Sequence, residues 1–183
     1  MKKLSLFLIV IFITFITYGQ TPLYKGLTSG MTEKEVLTCV KSDPRSFTLI
    51  PDKVSVDETI TTVIKNRTYL VNTSFNKDGK LASILFLCLD EYDWMDYNVN
   101  IKENANELFS LLSVKYGEPI YNKFCNWNDV PKGKFKFICY FKKGTIDVGI
   151  FVVNNDNTDK YYVGLIIKDE KFDNNYEQSS EGF

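Results

Sequence analysis

The sequence predicts an α+β protein made of tandem helix-plus-antiparallel-meander repeats, with the helices packed on one face of the sheet. Three observations predict it. An amphipathic helix followed by three or four alternating strands occurs twice along the chain. Both helices end at a proline-marked stop, Asp43-Pro44 and Gly117-Glu118-Pro119. Aromatic residues make up 15% of the 183 residues, which favours a well-packed globule over disorder. The expected division is 20–90 for the first repeat, 91–171 for the second, and a polar tail over 172–183 that frays.

Residues 1–19 read as a bacterial-type secretory signal. Lys2 and Lys3 precede an apolar run over 4–16 interrupted only by Ser5 and Thr14, and Thr17 and Gly19 place small residues for cleavage before Gln20. That run is shorter than the roughly 20 apolar residues of a spanning helix. The absence of charge between Lys3 and Lys25 keeps an uncleaved anchor as the alternative. Without a cysteine at the cleavage site, no lipid-modified N-terminus is expected.

After a short lead over 21–29, Thr32 followed three residues later by Glu35 makes a capping box, and Val36, Cys39 and Val40 share one helical stripe. Strands are expected over 59–65 and 68–75, with a turn at Asn66-Arg67. Asn76-Lys77-Asp78-Gly79 is a hairpin signal, and the run over 81–89, apolar on both faces, reads as a central strand. In the second half Ala105, Leu108, Phe109, Leu112 and Tyr116 share a helical face. A short strand over 120–127 follows. Phe135, Phe137, Cys139 and Phe141 then alternate along a strand, as do Ile146, Val148, Ile150 and Val152, and Tyr161, Val163, Leu165 and Ile167. The polar run 154–159 is a loop whose Asn and Asp bond their own backbone rather than a cation.

Composition narrows the function classes. With no histidine, Ser-His-Asp and Cys-His catalysis and His-ligated zinc are removed. The four cysteines, Cys39, Cys88, Cys125 and Cys139, lack C-x-x-C spacing, so no zinc ribbon or thioredoxin-type site is expected. The formal charge is −1, or −3 once Lys2 and Lys3 leave, which offers no footprint for nucleic acid or an anionic membrane. No cofactor or metal is expected, nor membrane insertion after signal cleavage. Asp57, Glu58 and other acids are available for acid–base work, but nothing selects a pair.

Gly30-Met31-Thr32-Glu33-Lys34-Glu35-Val36, closed by Asp43-Pro44, resembles the opening of small envelope domains of the outer-membrane assembly lipoprotein type. Lys115-Tyr116-Gly117-Glu118-Pro119 looks like the corresponding helix end in a second copy, and duplication of that fold is the architecture of the secreted β-lactamase inhibitory proteins. The chain departs in having no glycine before Pro44 and no lipid-bearing cysteine. The resemblance implies an exported, periplasmic or extracellular protein-binding or inhibitory module without catalysis, its partner another exported or envelope protein. A cell-envelope structural or assembly component is the alternative, and an enzyme the third class.

The segment Asp90-Glu91-Tyr92-Asp93-Trp94-Met95-Asp96-Tyr97 joins the halves. Tyr92, Trp94 and Tyr97 are the candidate binding residues, since aromatic anchors dominate interface energetics. On the plainer reading Trp94 and Tyr97 pack onto the sheet while the acids face water. A hairpin centred on Lys132 in Pro131-Lys132-Gly133 would set Cys125 opposite Cys139, within disulfide reach, with two neighbouring buried thiols as the alternative. Cys39 and Cys88 read as small apolar core residues.

Overall fold

The computed structural model describes residues 20–51 and 58–173. The expected signal over 1–19, Asp57 and the tail from 174 onward lie outside the described residues, as does the Glu58 side chain.

The fold is α+β and mostly strand. In chain order come β1 (Pro22–Tyr24), β2 (Leu27–Thr28), α1 (Glu33–Ser42), β3 (Thr48–Pro51), β4 (Glu58–Ile64), β5 (Arg67–Phe75) and β6 (Leu81–Cys88). A π-helical turn, Tyr97–Ile101, leads into α2 (Lys102–Tyr116), followed by β7 (Tyr121–Asn122), a 3-10 turn (Trp127–Asp129), β8 (Phe135–Lys143), β9 (Ile146–Asn154) and β10 (Tyr161–Asp169). β1 and β2 pair as a small ribbon, and the rest form one antiparallel sheet in the order β3-β4-β5-β6-β10-β9-β8-β7. The strands of 48–88 and those of 121–169 therefore stay contiguous and meet where β6 pairs with β10.

Local chemistry explains most element ends. Thr32 caps α1 through the reciprocal box with Glu35, whose carboxylate accepts from the Thr32 backbone N–H at 2.7 Å, and Asp43 ends the helix. At the β5–β6 turn the Asn76 side-chain oxygen accepts from the backbone of Asp78 and Lys80, and Gly79 takes φ +68°. β6 lies in the middle of the sheet, as its two apolar faces require.

Side chains alternate across the sheet. One face carries Tyr69, Val71, Ile84, Phe86, Phe141, Val148, Ile150, Val152, Val163, Leu165 and Ile167, all buried in one core that also takes in Val36 and Val40 of α1 and Leu108 and Leu112 of α2. Helix α2 lies across β8, β9 and β10, with Phe109 and Tyr116 against Phe141. Tyr69 Oη donates to Asn104 Oδ1 at 2.6 Å in the buried interior, tying β5 to α2.

Four expectations need correction. β1, β2 and β3 were not foreseen, being two to four residues long and held by tertiary pairing. The strand expected over 120–127 shrinks to two residues, because Asn126 and Asp129 cap a 3-10 turn instead. Residues 172–173 belong to the fold: the Phe172 ring lies where a Gly30 side chain would stand, 2.9 Å from an ideal Cβ. The hairpin centred on Lys132 is absent too. Asn122 stands opposite Cys139, and Gly133 and Lys134 exchange backbone hydrogen bonds with Asn154. The wide capped loop shifts the register that would have set Cys125 against Cys139, and all four cysteines are free thiols.

Candidate binding surface

The loop joining β6 to the π-helical turn meets the β7–β8 loop at one end of the sheet, and there the chain's two tryptophans come together. Trp94 and Trp127 lie 5.6 Å apart between ring centroids at a 44° tilt, yet they remain 55% and 40% exposed. Met95 and Val99 are more exposed still. A large apolar cluster left in water has lost none of its hydrophobic driving force and is free to bury against a partner.

The loops beneath are stitched from below. Tyr92 and Tyr161 exchange two backbone hydrogen bonds, at 3.1 and 2.8 Å. Tyr161 Oη donates to the Trp127 carbonyl at 3.2 Å, so strand β10 holds both loops. Tyr97 is wholly buried, edge-on to Tyr161 and Phe124, with its hydroxyl 3.2 Å from Cys125 Sγ. Burial, and then contact with that thiol, push the Tyr97 hydroxyl well above the usual phenol range. Of the three aromatic candidates, Trp94 alone presents its ring to solvent. Tyr92 and Tyr97 are buried pins that position it.

Arg67 anchors the same connection from the other side. Its guanidinium donates to Asp90 at 2.8 Å, Tyr92 Oη at 2.7 Å and Glu107 at 3.1 Å, with Glu103 at 3.4 Å. Partial burial opposes the charge, but the Asp90 and Glu107 carboxylates outweigh it and strengthen the guanidinium's hold on its proton. The Tyr92 hydroxyl is pushed up to about 12, chiefly by burial.

Acids crowd the exposed rim. Lys160 Nζ donates to Asp93 at 2.6 Å, and Tyr162 Oη donates to Glu91 at 2.8 Å. The Lys160 pKa is raised first by its hydrogen bond to Asp93, then by the charges of Asp93, Glu91 and Asp96. Asp129 lies two residues from Trp127 and caps its turn.

A second aromatic surface lies on the outer sheet face, where the register puts Phe135, Phe137 and Tyr140 of β8 with Phe151 of β9. Phe135, Phe137 and Phe151 contact one another edge-on at 5.6–5.9 Å between centroids. Glycines make room for them: an added Cβ would stand 2.4 Å from the Phe137 ring at Gly149 and 2.1 Å from the Phe151 ring at Gly164. Phe135 is 60% exposed, and Ile50 and Val63 are exposed on this face at its far side.

Sequence reasoning passed over Trp127 and Phe135, which read only as strand residues. A tryptophan set among Asn126, Asn128 and Asp129 was the available signal, since a loop of that polarity has little core to bury an indole in. Among the described residues no group of three or more His, Cys, Asp or Glu is placed to hold a metal ion. Nor is any helix among them long and apolar enough to cross a membrane.

Fold and site together define an α+β protein presenting loop-borne aromatic residues at one end of a single large sheet. Comparison with protein families, with curated proteins and with solved structures gives no match for the chain.

Proposed function

We propose that this chain is an exported protein-binding module, without catalysis, that seats a partner protein on the Trp94–Trp127 surface. The observation that carries the reading is the exposed tryptophan pair on loops pinned by buried tyrosines and Arg67. Rigid aromatic anchors lose little conformational freedom on binding, so more of their burial appears as affinity. The aromatic outer sheet face adjoins the same strands and supplies further area. The finer reading of the fold is a tandem duplication of helix plus four-stranded meander, both helices on one sheet face. It is supported by the mirrored strand order about the β6–β10 pair and by the single core that α1 and α2 share.

The test is capture from the envelope and culture medium of the source organism, with the parent chain compared with Trp94→Ala and Trp127→Ala. Truncating such an anchor should cost about 2 kcal/mol or more, roughly thirtyfold in affinity, with circular dichroism unchanged. A folded Trp94→Ala variant that binds its captured protein as tightly as the parent refutes the reading. A captured hydrolase or toxin assigns the inhibitory role, and a porin or transporter the envelope-assembly role. N-terminal sequencing of the exported form at or near Gln20 checks the export signal.

A further inference from the structure

We propose that the Trp94–Trp127 surface recognises a cationic anchor, an arginine or lysine side chain projecting from the partner protein, held against the indoles within a rim of carboxylates. The inference rests on the protein-binding reading and names the chemistry of the partner.

Charge and ring chemistry converge on it. Tryptophan has the ring face most attractive to a cation. Among the described residues lysines stand over Tyr24, Phe124, Tyr116 and Phe172, whereas none stands over either indole. Among the described residues the strongest cation-binding rings are thus ones over which no lysine stands. The rim adds carboxylates. Asp93 and Asp96 flank Trp94 and Met95, and Asp129 stands two residues after Trp127. Lys160 is committed to Asp93 at 2.6 Å. The Asp96 carboxylate is exposed and makes no capping bond, which leaves it available to an incoming donor. Met95, exposed and next to Trp94 in the chain, suits the aliphatic stem of an arginine or lysine. An anionic partner would meet like charge at this rim, and a purely apolar one would have to desolvate the carboxylates without pairing them.

The experiment uses a property of the composition: Trp94 and Trp127 are the two tryptophans of the chain, so its indole N–H signals and its tryptophan fluorescence report on this surface alone. The exported protein is titrated with the peptide acetyl-Gly-Arg-Leu-Arg-Gly-amide and with its citrulline counterpart, which keeps the shape and loses the charge. The expected result is saturable movement of both indole signals by the arginine peptide, with affinity about tenfold above the citrulline peptide. Raising the salt from about 50 to about 500 mM should weaken it. Asp96→Asn should weaken the arginine peptide several-fold and leave the citrulline peptide unchanged. Equal response to the two peptides, or no response of either indole, overturns the inference. So does movement of the indoles by a neutral oligosaccharide and not by the arginine peptide. If the arginine peptide fails while Trp94→Ala still abolishes partner capture, the cationic anchor falls and the protein-binding reading stands. If Trp94→Ala leaves capture intact, that reading falls by itself.

Discussion

Gly164 sits in the middle of β10 with the tip of the Phe151 ring directly above it. Substituting alanine there is the sharpest test of how the outer sheet face is packed. An ideal Cβ would stand 2.1, 2.4 and 2.6 Å from three carbons of that ring, against 3.4–4 Å for ordinary contact, so the ring has to retreat by more than about 1 Å. Retreat is obstructed, because Phe151 is 7% exposed and wedged against Phe135 and Phe137. Forced overpacking of this kind costs about 1–3 kcal/mol. Removing a glycine from the unfolded chain returns about 0.4–1 kcal/mol. The upper part of the overpacking range applies to so deep an overlap, and the net loss is about 1–2 kcal/mol. For a chain of this size that lowers Tm by about 2–8 °C. Urea denaturation followed by circular dichroism, paired with a thermal melt, reads both quantities. Phe151→Leu shortens the obstructing side chain, so Gly164→Ala combined with Phe151→Leu should lose less than the sum of the two single changes. Stability equal to or above the parent in Gly164→Ala, or strict additivity in the double variant, would show that the ring does not occupy the glycine's space and refute the reasoning.

Three further outcomes are expected. Tyr69→Phe leaves Asn104 Oδ1 unpaired in a fully buried position where Nδ2 already lacks a partner, so it should cost about 1–3 kcal/mol in urea denaturation, while Tyr69→Phe with Asn104→Leu costs less than the two separately. Alkaline pH should destabilise the fold. Burial pushes the Cys139 thiol up to about 11 and the Tyr92 hydroxyl, nominally 10, up to about 12, so the folded state holds protons that the unfolded state has released. That contribution is complete below about pH 9 and is lost as pH rises through the folded values, a fall checked by denaturation midpoints across that window. In thiol labelling of the native protein, half-exposed Cys39 should react ahead of buried Cys88, Cys125 and Cys139, and non-reduced peptide mapping should find no Cys125–Cys139 bridge.

Much of the fold was legible because its signals are short-ranged. The capping box at Thr32 and Glu35, the turn at Asn76 and Gly79, and the alternation along β8, β9 and β10 each depend on residues within a few positions of one another. The central place of β6 was legible for a similar reason, since its run is apolar at successive positions; its inner-face residues are buried and Leu85 and Leu87 on the other face are half-buried. β3 was not legible and β7 was expected too long, because at four and two residues they carry too little periodic pattern and exist through the strands they pair with.

The candidate site divides in the same way. That 90–97 is rich in aromatic residues and acids is written in the sequence. Its division into buried Tyr92 and Tyr97 and exposed Trp94 depends on Tyr161, Cys125 and Arg67, which arrive from other strands and loops. Trp127 joins Trp94 from a loop 33 positions away, for which no local period exists. The helices, the long strands and the absence of histidine chemistry follow from backbone hydrogen bonding, side-chain periodicity and composition. Which aromatics are pins and which meet solvent, and how β7 registers on β8, are set by contacts between distant segments. Both rest on shape complementarity and competing hydrogen bonds among residues far apart in the chain.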